Sequence, residues 1–197
     1  MLRRRYQSRG YDLKAVASGS ANELELVSID RHTGQVTGTL TMVLDGPDGL
    51  AAAHLYGAEV QNLRESGLKL CEGVRFAADG AANSLTVLPA LFHVAFIWAC
   101  SVNGCTNLLI EVTPRHALFY RRMLGFEMLG RECLNPRVNT MGVLLHLDMQ
   151  LASARIGQLR ESVPGRLGLY EYALPSSSEL EVVKRLQDGD PLLAYLP

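Results

Sequence analysis

The chain has 197 residues, of which 48% are hydrophobic and 20% charged, with a formal net charge of −1. That is enough apolar mass for one globular domain with a sizeable core, and nothing in the charge balance points to nucleic acid or an anionic membrane surface. Four cysteines (Cys71, Cys100, Cys105 and Cys133) form no CxxC pair and no zinc-like spacing with His. They suit a reduced, cytoplasmic protein, and no metal site is expected.

The basic start, Met1 to Tyr6, has no apolar stretch behind it, so no signal peptide is expected. Residues 23–30 alternate apolar and polar, as a half-buried strand does, and a turn at His32-Thr33-Gly34 leads to the β-branched run Val36 to Leu44. After the breaker at 45–49, the spacing of Leu55, Val60 and Leu63 predicts a helix over 51–66, closed by Gly67. Lys69 to Ala77 predicts a second strand region. The most hydrophobic stretch follows, predicting a core helix over 84–102 that stops at Asn103-Gly104. Interrupted by Pro89 and His93, it is too short to span a bilayer.

Asn107 to Val112 is almost wholly apolar and predicts a central strand. Pro114 opens a short helix that Gly125 closes, and strands are predicted at Phe126 to Gly130 and Met141 to Met149. This order gives an α/β (α+β) domain over 1–150, a sheet flanked by helices. Residues 151–197 form a C-terminal extension packed on it, with a capping box at Ser178-Glu179-Leu180-Glu181 starting a helix.

Two motifs carry a resemblance. Val112 to Phe126, with Phe119-Tyr120 and Leu124-Gly125-Phe126, resembles the last helix of the GNAT acyltransferases, whose fold is a mixed, mostly antiparallel sheet. Glu72-Gly73-Val74-Arg75-Phe76 looks like the Glu-x-x-Arg-Phe motif of the acyl-homoserine-lactone synthases. With Thr39-Leu40-Thr41, Leu55-Tyr56, Asn135 to Asn139 and Leu145 to Asp148, the chain is similar to the long-chain N-acyl amino acid synthases of the FeeM type over about three quarters of its length. The chain departs from the GNAT pattern in two places. The first GNAT strand is expected to be missing. The glycine-rich loop that holds coenzyme A pyrophosphate is replaced by Asp79-Gly80-Ala81-Ala82-Asn83-Ser84, whose carboxylate repels phosphate.

The resemblance implies an acyl-transferring enzyme with no bound cofactor. Its donor would be the acyl-phosphopantetheine of acyl carrier protein, and its acceptor an amino acid, tyrosine as first guess. Glu72 would be the base, or else a structural partner of Arg75. Tyr120 would protonate the leaving thiolate, or else serve as a core aromatic beside Phe119. The oxyanion is expected at backbone N–H groups near Phe76. Arg75, or otherwise Arg5 or Arg9, would bind the acceptor carboxylate. Leu91, Phe92, Phe96 and Trp98 could line an acyl slot. Arg115, Arg121 and Arg122, with Arg131, Arg137 and Arg3-Arg4-Arg5, would dock the acidic carrier protein. An acyl-Cys71 intermediate is the weaker route, since direct transfer is the GNAT habit. The rivals are a lactone synthase, whose paired aspartates Asp45 and Asp48 reproduce poorly, a coenzyme A-dependent acetyltransferase, and a non-catalytic acyl-binding or carrier-binding module.

Overall fold

A computed structural model describes residues 22–29, 34–78, 91–160 and 176–188. The expectations for Arg3 to Arg5, Arg9, the 79–84 loop and the first half of the long apolar helix lie outside those residues.

The hairpin forms as β1 (Glu23–Ile29) against β2 (Val36–Leu44), with Glu23 opposite Val43. A 3₁₀ turn (Ala51–His54), α1 (Gly57–Glu65) and β3 (Leu70–Ala78) follow. Helix α2 is described from residue 91, and its second half, Ile97–Val102, is π-wound. Then come β4 (Asn107–Val112), α3 (Pro114–Leu124), β5 (Glu127–Met128), β6 (Cys133–Asn135) and β7 (Thr140–Asp148). Two helices end the described chain, α4 (Met149–Arg160) and α5 (Ser176–Gln187).

The strands form one sheet in the order β1-β2-β3-β4-β7-β5, with β6 also on β7. β3 and β4 run parallel, and their other neighbours run antiparallel. Strand alternation sends Leu40, Met42, Cys71, Ile110, Val143 and Leu145 to one face, under α2, α3 and α4. The opposite face carries Leu70, Leu109 and Leu144 against Tyr56 and Val60. Leu109 and Ile110 are both buried, so β4 is covered on both sides as its apolar run requires.

Three departures from the sequence expectations matter. The helix expected over 51–66 breaks at Leu55-Tyr56, because Tyr56 turns fully into the core between two shorter helical pieces. The long apolar helix ends in a π turn whose Asn103 N–H donates to Trp98 O at 3.1 Å. Helix α4 follows β7 directly and packs Ala152 and Ile156 inward. At the end of α3, Gly125 caps with φ 76°, and a Cβ there would also strike the Arg155 guanidinium of α4. Helix α5 places Val182 in the core, and its Glu179 Oε1 lies 2.6 Å from His93 Nε2.

Candidate active site

The β3–β4 ladder runs from Leu70 opposite Asn107 to Gly73 opposite Ile110 and stops there. Both strands continue. Between Val74 and Ala77, β3 carries one residue more than β2, and Arg75 takes φ 54° with its carbonyl accepting from Thr39 Oγ1 at 3.4 Å. Such a bulge bends its strand, here away from β4. The two strands therefore splay, and a cavity of about 790 Å³ opens between them. Glu72, Gly73, Val74 and Phe76 line one side, Ile110 and Glu111 the other, with Tyr120 beside them.

Glu72 is 2% exposed, and both its carboxylate oxygens accept from the Ala52 N–H, at 3.1 and 3.2 Å. The broken helix makes this possible, since the first N–H groups of the 3₁₀ turn have no partner within it. Burial pushes Glu72 up to about 7, opposed by the backbone N–H groups of Ala52 and Ala51. The nearby charge of Glu111 raises it further and that of Arg137 lowers it. A carboxylate in that range accepts a proton at neutral pH and can release it again.

Tyr120 is buried, in edge contact with Phe92, Phe119 and Phe126, and it also lines the cavity. Desolvation pushes its hydroxyl up to about 12, so it keeps its proton at neutral pH. Core aromatic and cavity-facing phenol are the same residue here. Phe76 and Phe92, with centroids 5.3 Å apart, line the cavity as well. Phe92 and Phe96 border a second, apolar space of about 50 Å³ behind the sheet. Leu40, Gly73, Phe92 and Ile110 touch both spaces. Leu91 and Trp98 pack in the core and line neither.

Arg75 does not pair with Glu72. Its guanidinium donates to Glu23 at 3.2 and 3.3 Å and lies 3.5 Å from Glu25, because those carboxylates alternate onto the outward face of β1. Cys71, by the same alternation, points away from the cavity into the core, where its thiol donates to Asn107 O at 3.7 Å and is pushed up by the neighbouring Cys105 thiol and by burial. Arg115, Arg121 and Arg122 are all exposed on α3. Among the described residues no group of three His, Cys, Asp or Glu could hold a metal ion, and no helix is long and apolar enough to cross a membrane.

Four features of the site were not anticipated from the sequence: the Ala52 N–H, Glu111, Asn135 and Gly142. Asn135 Nδ2 donates to both Glu111 oxygens at 2.8 and 3.1 Å, and a Cβ on Gly142 would overlap Glu111 Oε1. The available signal was the one carboxylate in the apolar run Asn107 to Val112, two residues past the rung that faces Glu72.

Residues 1–148 match the N-acyl amino acid synthase FeeM family. The structure of FeeM, an N-acyl amino acid synthase from uncultured soil microbes, superposes with a TM-score of 0.68 at 25% identity, covering 78% of this chain and 89% of that one. The coenzyme A-dependent acyl-homoserine lactone synthase MesI gives 0.51 at 16% identity, covering 84% and 88%. An acyl-CoA N-acyltransferase from Pseudomonas aeruginosa gives 0.50 at 15% identity, covering 71% and 78%. These last two show the shared fold. No match was found among curated protein sequences. A splayed mixed sheet of the GNAT kind, with a near-neutral carboxyl and a protonated phenol on one cavity, is thus carried by an acyltransferase that belongs to the FeeM family of N-acyl amino acid synthases.

Proposed function

We propose that the chain transfers a long acyl group from acyl carrier protein to the α-amine of an amino acid, tyrosine as first choice, in the cytoplasm. The observation that carries this reading is Glu72, a buried carboxyl at about 7 beside the point where β3 and β4 part. The acceptor amine gives one proton to Glu72 and attacks the thioester carbonyl. Backbone N–H groups freed past the last β3–β4 rung take the oxyanion. The C–S bond then breaks, Tyr120 protonates the thiolate, and the second amine proton restores the phenol. The acyl tail runs past Gly73 and Phe92 into the apolar space bordered by Phe96.

Carrier protein is favoured over coenzyme A by the surface of α3 as well as by the sequence Asp79 to Ser84, which lacks the glycine-rich pattern. Arg115, Arg121 and Arg122 share the helix with Leu118, 50% exposed, and Phe119, 39% exposed, a basic and apolar mixture that suits an acidic partner. Arg115 also stands in the first helical turn, where the helix dipole disfavours a cation. Arg75 remains a wall residue of the acceptor side, its charge shared with Glu23 and Glu25. The lactone-synthase reading loses ground because Asp45 is held bidentately by Arg64, both contacts at 2.7 Å.

The test is incubation with a long-chain acyl carrier protein or the matching acyl-coenzyme A and a pool of amino acids, with products read by mass spectrometry. N-acyl amino acids from the carrier-protein arm are expected. Product that needs S-adenosylmethionine would turn the reading to the lactone synthase. Reversing Arg121 and Arg122 to Glu should raise the KM for acyl carrier protein about tenfold and leave a pantetheine thioester unaffected. Tyr120→Phe should lower kcat about a hundredfold with an alkyl thioester. An aryl thioester, whose thiolate leaves unprotonated, should recover most of that loss; equal losses with both would remove Tyr120 as the acid.

A further inference from the structure

Glu111 stands one residue past the last β3–β4 rung, half-buried, on the cavity side of β4. Two devices hold its carboxylate. Asn135 at the end of β6 donates to both oxygens, and Asn135 is itself fixed by accepting the Arg137 N–H on Oδ1 at 3.0 Å. Gly142 on β7 leaves the space that Glu111 Oε1 occupies, since any Cβ there would overlap it. A surface carboxylate needs neither arrangement, and both hold this one over the cavity. Arg137, an exposed residue on the turn after Asn135, lines the same cavity. A fixed negative group and a positive one therefore flank Asn135.

We propose that Glu111 and Arg137 form the acceptor subsite, Glu111 holding the α-ammonium and Arg137 the α-carboxylate of a zwitterionic amino acid. This rests on the transferase reading above and specifies its acceptor side. Glu72 faces Leu109 across the ladder, and Glu111 is two residues further along the same face, about 7 Å of strand. An ammonium held on Glu111 is thus delivered toward the Glu72 carboxylate. There its N–H bond breaks, an O–H bond forms on Glu72, and the neutral amine stays in the cleft.

The discriminating ligands are tyrosine, tyramine (no carboxylate) and 3-(4-hydroxyphenyl)propionate (no amine), measured as acceptors or as competitive inhibitors. Glu111→Gln keeps an oxygen for Asn135, so the fold and Tm should hold. It should raise the KM for every amino acid accepted by the wild type about tenfold or more, leave the donor KM unchanged, and leave binding of the desamino acid unchanged. Arg137→Gln should weaken tyrosine and the desamino acid but spare tyramine. Asn135→Ala should reproduce the Glu111→Gln pattern in weaker form. An acceptor KM within about twofold of wild type in Glu111→Gln, with the wild type making N-acyl amino acids, overturns the subsite and leaves the transferase reading standing. A wild type that acylates no amino acid from any donor overturns both.

Discussion

Glu72→Gln is expected to lower turnover about a hundredfold or more and, at alkaline pH, to make the folded protein more stable. The two effects have one origin. Glu72 is buried with both carboxylate oxygens accepting from the Ala52 N–H, and burial raises it from 4.5 to about 7. Between those values the folded chain binds a proton that the unfolded chain has released. Stability contributed by this group is therefore present below about pH 4.5 and falls as pH rises through 7. A shift of this size corresponds to a cost of about 3 kcal/mol once the group is ionised. As the proposed base Glu72 acts in its ionised form, so activity is expected to run the opposite way, rising as pH passes through about 7. Glutamine keeps an oxygen for Ala52 and carries no charge to bury. Denaturant unfolding of both proteins at about pH 5 and about pH 8, beside single-turnover acyl transfer, checks the pair of effects. A variant that is inactive and also less stable at the higher pH would make Glu72 a structural group, and the base would have to be sought elsewhere.

Much of the frame was legible because local chemistry and tertiary setting agree. Asn107 to Val112 is apolar on both sides because β4 lies in the middle of the sheet. Pro114 and Gly125 bound α3 because one lacks the N–H that a helix start does not need and the other accepts φ 76°. Glu72 and Tyr120 were legible through motif and do share one cavity. What was hidden depends on residues distant in sequence. Nothing near Ala52 announces that its N–H will meet a carboxylate 20 positions on. The pattern of apolar residues over 51–66 is the same whether or not the helix breaks at Tyr56. Arg75 pairs with Glu23 across an intervening strand, a contact set by the order β1-β2-β3 and by the bulge. Glu111 needed Asn135 and Gly142 from two other strands to become a site residue. The bulge at Arg75 was also unmarked, because an arginine at positive φ has no sequence signature, unlike a glycine.

Gly73→Val should close the enzyme to long acyl chains while leaving it open to short ones. Gly73 is the last β3 residue paired with β4, and it borders both the large cavity and the apolar space behind the sheet. A Cβ there would stand 3.2 Å from Ile110 Cγ2 and 3.8 Å from both Leu108 Cδ1 and Met42 Sδ. Alanine is thus accommodated if Ile110 moves by a few tenths of an ångström. Valine adds two methyl groups to a neck already at contact distance. Its overpacking should cost about 1–3 kcal/mol, which the remaining core can bear. An acyl chain that must pass the neck loses its burial, roughly 0.8 kcal/mol for each methylene left outside. Six excluded methylenes therefore remove about 5 kcal/mol of binding, more than a thousandfold in kcat/KM for a long donor. A donor of about four carbons does not reach the neck and should keep its rate within a few-fold. Gly73→Ala should fall between, moving the preferred length downward by a small number of carbons. The measurement is kcat/KM across a series of acyl lengths at fixed acceptor concentration. A slope of log kcat/KM against chain length unchanged from wild type, with all lengths lowered alike, would mean that Gly73 serves only the packing of β3 on β4 and that the acyl tail lies elsewhere.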